Sequence, residues 1–152
     1  MTTTITPFLW FDNNAEEAFA FYATLFPDVR TIDETRGPDG ALFFGTFEIL
    51  GQRVMAMNAG PMFPHTEAFS FFVMVDDQTE VDRLWDALTA DGGEESQCGW
   101  LKDKFGLSWQ IVPEALMRLQ KGPDAAAAGR VTQAMLGMRK IIVADLEVAY
   151  AG

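Results

Sequence analysis

One series of structural signals occurs twice in this chain. Ile5 to Phe11 is an apolar run of strand length, opened by threonines. Asp12-Asn13-Asn14 offers N-cap oxygens, and Glu16 and Glu17 sit in the first turn, where the helix dipole favours acids. Ala15, Ala18, Tyr22 and Leu25 follow helical spacing until Pro27-Asp28 stops it. Three strands follow: Val29 to Thr35, Ala41 to Leu50 and Arg53 to Met57, with turns at Gly37-Pro38-Asp39-Gly40 and Gly51-Gln52. The stretch NAGPMFPHTE reads as a linker. Then Ala68 to Val75 is a strand, and Asp77-Gln78-Thr79-Glu80 resembles a capping box with aspartate at the cap. Val81, Leu84, Trp85 and Leu88 form a helical stripe, ended by Asp91-Gly92-Gly93. Glu94 to Cys98, Gly99 to Phe105 and Leu107 to Val112 supply three more strands.

The order β-α-β-β-β therefore repeats. Laid on each other, Glu17 falls over Glu80, Ala18 over Val81, Tyr22 over Trp85, Leu25 over Leu88, and Gly51 over Gly106. A βαβββ module covers one sheet face with its helix and leaves the other open, so it cannot bury that face alone. Two modules together can enclose a cup. The expected fold is α+β: a single domain over residues 1–152, with module one at 1–58, a linker at 59–67, module two at 68–113 and a helical tail at 114–152. The tail reads as helices over 114–121 and 125–138, with a last turn from Asp145, packed over the sheet or against a partner subunit.

The balance of charge narrows the partners. Eleven basic residues against 22 acidic ones leave a net charge of −11, with no local Lys/Arg cluster, which disfavours nucleic acid and anionic lipid. No apolar run approaches the ~20 residues of a membrane span. The start, MTTTITPFLWFD, has no basic segment or cleavage site of a signal peptide. A single cysteine, Cys98, suits a reducing cytoplasm and excludes a Cys-rich zinc site. The expected partner is a small molecule or another copy of the chain.

Several stretches resemble a known family: PFLWFDNNAEEAFAFY, the central NAGP, FSFFVMVDDQTEVDRLWDAL, QCGWLKDKFGLSWQIVP and the VTQAMLGMRK tail. They are similar to the PhnB-like group, also called demethylubiquinone methyltransferase-like, of the vicinal oxygen chelate superfamily. That superfamily includes glyoxalase I, bleomycin-resistance proteins and extradiol dioxygenases. The resemblance implies cupped, mostly antiparallel sheets and a homodimer, without a settled activity. A typical S-adenosylmethionine enzyme needs a parallel α/β sheet and a Gly-rich loop after its first strand. Here Asp-Asn-Asn follows Phe11.

The resemblance also implies where a metal would be held, by His and Glu from four strands. Carried over by position, those places fall on Thr6 or Pro7, Met55, Ser70 and Gln110. None is His, Asp or Glu, and Ser, Met and a neutral amide are poor ligands for a hard or borderline dication. No metal and no cofactor are expected. The lone histidine, His65, lies in the linker, either as an exposed loop residue or at the cup mouth as an acid or base.

By two-residue periodicity Ser70, Phe72 and Met74 share one strand face, and Ser108, Gln110 and Val112 another, with Trp109 pointing toward a helix. From the first strand either Phe8 and Trp10 or Leu9 and Phe11 face inward. The expected ligand-binding set is Trp10, Met55, Ser70, Phe72, Met74, Gln110 and His65, an apolar pocket with a few fixed polar groups. The competing reading is that these side chains fill the cup as core. Cys98 lacks a nearby base and reads as inert. Lys102, Asp103 and Lys104 read as a solvated hairpin, and Glu48 and Glu67 as surface acids near the cup. The leading expectation is metal-independent binding of a small apolar or aromatic molecule. The alternatives are a metal-dependent lyase, isomerase or dioxygenase, and an antibiotic-sequestering protein.

Overall fold

In the computed structural model, which describes residues 2–152, the chain divides into two compact units, one running to His65 and one from Thr66 to Gly152. The first contains β1 (Phe8–Phe11), α1 (Ala15–Leu25), β2 (Val29–Arg36), β3 (Leu42–Ile49) and β4 (Gln52–Asn58). The second contains β5 (Ser70–Val75), α2 (Gln78–Thr89), β6 (Glu94–Glu95), β7 (Trp100–Lys102) and β8 (Ser108–Pro113). Three helices end it: α3 (Glu114–Gln120), α4 (Ala125–Leu136) and α5 (Val143–Ala151). The expected α+β order, βαβββ twice and then helices, is what forms.

The two sheets share one topology. Their strand orders are β1-β4-β3-β2 and β5-β8-β7-β6. In each, the first strand pairs parallel with the last, and the other pairings are antiparallel. Phe8 lies beside Met55 as Phe72 lies beside Gln110. The sequence overlay of Gly51 on Gly106 holds at the backbone, since both have φ of +84°, a conformation that favours glycine. The same register places Thr6, rather than Pro7, as the counterpart of Ser70: each stands two residues before its phenylalanine.

Alternation decides which face each helix covers. In the first unit Leu9, Phe11, Phe47, Val54 and Ala56 are buried with Ala15, Ala18, Phe19 and Tyr22 of α1. Phe19 stacks on Phe47 with ring centroids 4.0 Å apart. This settles the first-strand register: Leu9 and Phe11 face the helix, while Phe8 and Trp10 lie on the open face. In the second unit Val81, Leu84, Trp85 and Leu88 of α2 are buried together with Leu101, Trp109 and Ile111. Asp77 accepts a hydrogen bond from the backbone N–H of Glu80 at 3.0 Å, the expected cap.

Four local expectations are corrected. The Asn14 side chain makes no cap bond to α1; the first helical N–H, that of Ala15, donates to Asn58 Oδ1 of β4 at 2.9 Å. A side chain distant in sequence outcompetes the adjacent one because β4 ends beside the helix start. The β3–β4 turn is Leu50-Gly51, both at positive φ (48° and 84°), and Gln52 already belongs to the strand. The strand expected over 94–98 shortens to Glu94–Glu95, because Cys98 takes φ of +58° and its N–H donates to Met138 O. Asp103 is not in a solvated hairpin. It is 2% exposed, and its carboxylate accepts from Phe105 N, Leu107 N and Trp109 Nε1 at 2.9, 3.1 and 2.9 Å.

The tail is built into the second unit. Leu116, Leu119, Val131, Ile141 and Leu146 form a buried cluster with Val112 of β8. The segment before α5 is strapped down by polar bonds. Cys98 N and Gly99 N donate to Met138 O and Arg139 O. Gln78 donates to Ile141 O and accepts from Val143 N. Gly99, at φ of +84°, leaves room for Ile141, since a Cβ there would stand 3.1 Å from both Ile141 Cγ1 and Ile111 O.

Candidate functional site

The open face of the β5-β8-β7-β6 sheet carries the polar groups of interest. Gln110 Nε2 donates to Ser70 Oγ at 3.0 Å. Trp100 on β7 is the lateral neighbour of Gln110, and Phe72 on β5 is the neighbour on the other side. Phe72 and Met74 are 51% and 59% exposed, which is high for side chains of their size. Val112 shares this face by alternation, yet it is 3% exposed because the tail cluster covers it. The tail therefore borders the face and leaves Ser70, Phe72, Met74 and Gln110 open beside it.

Further along the same face, Lys102 forms an ion pair with Glu67 at 2.5 Å. The bond to Lys102 holds the Glu67 carboxyl below its ordinary range, and Glu67 in turn raises Lys102. Glu94 stands across from Lys102, and Ser108 across from it on the other side. Glu95, one residue on, is turned to the helix face, where it accepts from Trp85 Nε1 at 2.6 Å.

The open face of the first sheet carries Phe8, Trp10, Met55 and Met57. Trp10 is engaged by the chain's own linker: its Nε1 donates to Gly60 O at 2.8 Å, and Phe63 packs edge-on with centroids 5.0 Å apart. His65 packs on Phe11 at 4.7 Å, a residue of the helix-covered face, and is half-buried rather than solvent-exposed. Within the first unit, then, Trp10 and Met55 share a face, and His65 contacts a residue of the other. Glu48, expected at the surface, is 7% exposed. Arg30 and Arg53 bind its two oxygens and hold its carboxyl below the ordinary range.

No three His, Cys, Asp or Glu side chains are grouped to hold a metal ion among the described residues. The places that the resemblance implies for metal ligands carry Thr6, Met55, Ser70 and Gln110. That donor set offers no anionic oxygen and no imidazole, and the Gln110 amide is bonded to Ser70, so the residues present do not fit a divalent ion.

Paired βαβββ units with these sheet orders define the glyoxalase/bleomycin-resistance/dioxygenase fold of the vicinal oxygen chelate superfamily. The chain belongs to its PhnB-like family, described as 3-demethylubiquinone-9 3-methyltransferase, which matches residues 3–112. Among solved structures it is similar to the PhnB protein of Bacillus cereus, which carries the same methyltransferase description. The two share 29% identity with a TM-score of 0.66, over 73% of this chain and 99% of that one. Protein PA1353 of Pseudomonas aeruginosa matches at 22% identity and a TM-score of 0.58, over 74% of this chain and 98% of that one. The fosfomycin resistance protein FosX of Listeria monocytogenes, complexed with Mn(II) and sulfate, shares the fold at 16% identity and a TM-score of 0.53, over 73% and 92% of the two chains. No curated protein matches. The family match ends at Val112, so α3, α4 and α5, with the VTQAMLGMRK stretch, lie beyond it. Both sheets are mixed, not the parallel sheet of a typical S-adenosylmethionine enzyme.

Proposed function

We propose that this protein binds a small apolar or aromatic molecule, without a metal, on the open face formed by Phe72, Met74 and the Gln110–Ser70 pair. One observation carries the reading: a hydrogen-bonded polar pair stands beside Phe72 and Met74, large apolar side chains that are half exposed. A few fixed polar groups among apolar ones are the usual make-up of a small-molecule site. Gln110 can donate and accept at once, which suits orienting a ligand oxygen or nitrogen. Assembly as a homodimer in the cytoplasm is part of the reading. A second copy would cover Phe8, 50% exposed on the open face of the first sheet. The acidic chain has no basic cluster for nucleic acid, and no helix among the described residues is long and apolar enough to cross a membrane.

The test is a metabolite screen by thermal shift, repeated on hits with Phe72→Ala and Gln110→Ala. Both variants are expected to weaken binding by about tenfold, which is ~1.4 kcal/mol. Hits that bind Phe72→Ala as well as the parent protein would place the ligand elsewhere. A stoichiometric divalent ion in purified protein, lost in Gln110→Ala, would refute the metal-free reading. Turnover of a hit distinguishes an enzyme from a sequestering protein.

A further inference from the structure

A cleft of about 90 Å³ opens beside the Gln110–Ser70 pair, lined by Glu67, Glu94, Trp100, Lys102 and Ser108 among others. An engineered cavity of roughly 150 Å³ accepts benzene, so this one is too small for a ring and suits a headgroup. Its charges are unevenly matched. Lys102 is bonded to Glu67, while the Glu94 side chain, whose charge also acts on Lys102 from the adjacent strand, makes no hydrogen bond or ion pair within 4 Å among the described residues. The cleft lining holds three carboxylates, Glu67, Glu94 and Glu95, against the one ammonium of Lys102; Glu95 is turned to Trp85 and Arg139, which leaves Glu94 as the excess carboxylate in a chain of net charge −11.

A second observation is independent of the acids. Ser108 is 1% exposed, and its Oγ has no hydrogen-bond partner among the described residues. A buried hydroxyl left unpaired costs about 1–3 kcal/mol, and an alanine in its place would avoid that. By alternation Ser108 points to the Gln110 face, where it lines the cleft, and away from the helix-covered side that holds Trp109. Trp100 adds an aromatic wall, which attracts cations and does nothing for anions.

We propose that this cleft receives the ammonium end of the bound molecule, whose ligand is therefore an amine with a small apolar or aromatic body. Glu94 supplies the unbalanced carboxylate, Trp100 the π face and Ser108 a hydroxyl that accepts an N–H. The apolar body lies on Phe72 and Met74. This assignment rests on the open-face reading above.

Three probes of one shape test it: 2-phenylethylamine, 2-phenylethanol and 3-phenylpropionate, titrated by calorimetry at low and moderate salt. The amine is expected to bind at least about tenfold tighter than the carboxylate, and only its affinity should fall with salt. Glu94→Gln, an exposed substitution, should remove most of that preference and leave the alcohol unchanged. Ser108→Ala should raise thermal stability while weakening the amine severalfold. Equal binding of all three probes, each weakened by Phe72→Ala, would overturn the ammonium assignment and leave the apolar site standing. So would a preference untouched by both cleft variants. Failure of all three to bind, or binding indifferent to Phe72→Ala, would overturn the open-face reading together with this one.

Discussion

Asp103 shows how a single side chain can hold a hairpin. Its carboxylate receives two backbone N–H groups of its own loop and the indole N–H of buried Trp109. Removing it strands several donors at once. Asp103→Ala is expected to destabilise the protein by roughly 2–4 kcal/mol, read from urea unfolding, with a smaller loss for Asp103→Asn. Glu48 is a different case, bound by two exposed arginines. Because its folded-state pKa lies below the ordinary 4.5, its contribution is present above that pH and is lost as pH falls through the lowered value. The stability difference between the parent protein and Glu48→Gln should therefore be constant near neutrality and shrink below about pH 4.5, a trend that unfolding curves across pH would detect. Both acids read as surface residues from their neighbours in sequence. KDK and FEI say nothing of Trp109 or Arg30, which lie 6 and 18 residues away and meet them only through pairing.

At the scale of elements, the repeat was legible because it rests on periodicity and turn residues, which are local. Helix α2 starts where its cap residues place it, at Asp77. Helix α1 has equally good cap residues, yet Asn58 takes the bond, since the strand order brings β4 beside it. The β3–β4 turn is the element least suited to its sequence. Its two-residue loop puts Leu50 at φ of 48°, where an L side chain crowds the next carbonyl. Asn-Gly is the pair such turns favour. Leu50→Asn should stabilise the protein by about 0.5–1 kcal/mol, seen as a higher melting temperature with an unchanged circular dichroism spectrum. A melting temperature equal to or below that of the parent would mean that the half-exposed leucine packs more usefully than its strain costs.

For the molecule as a whole, the helical tail is an integral part of the second unit. Ile141 is fully buried against Gly99, and Val112 depends on the tail for its cover. Deleting residues 114–152 should lower stability by several kcal/mol, since each large core side chain removed costs roughly 2–5 kcal/mol. Chemical denaturation of the shortened chain measures this, and a midpoint equal to that of the full chain would show the tail to be an appendage. The same tail borders the Gln110 face, so its loss should also alter any ligand affinity there.

The sequence by itself determined the doubled βαβββ order, the stripes that become α1 and α2, the alternation that puts Ser70 with Phe72 and Gln110 with Ser108, and the neutral side chains at the places the resemblance implies for metal ligands. These follow from spacing and residue chemistry along short stretches. Only the tertiary structure decided which face of β1 lies under α1, that Trp10 is occupied by the linker, that Asp103 and Glu48 are buried, and that Ser108 is left unpaired beside Lys102. Each of those depends on which strand lies next to which. Tertiary contact brings together residues as far as 65 positions apart, as in the Gln78–Val143 bond, and no local pattern encodes that distance.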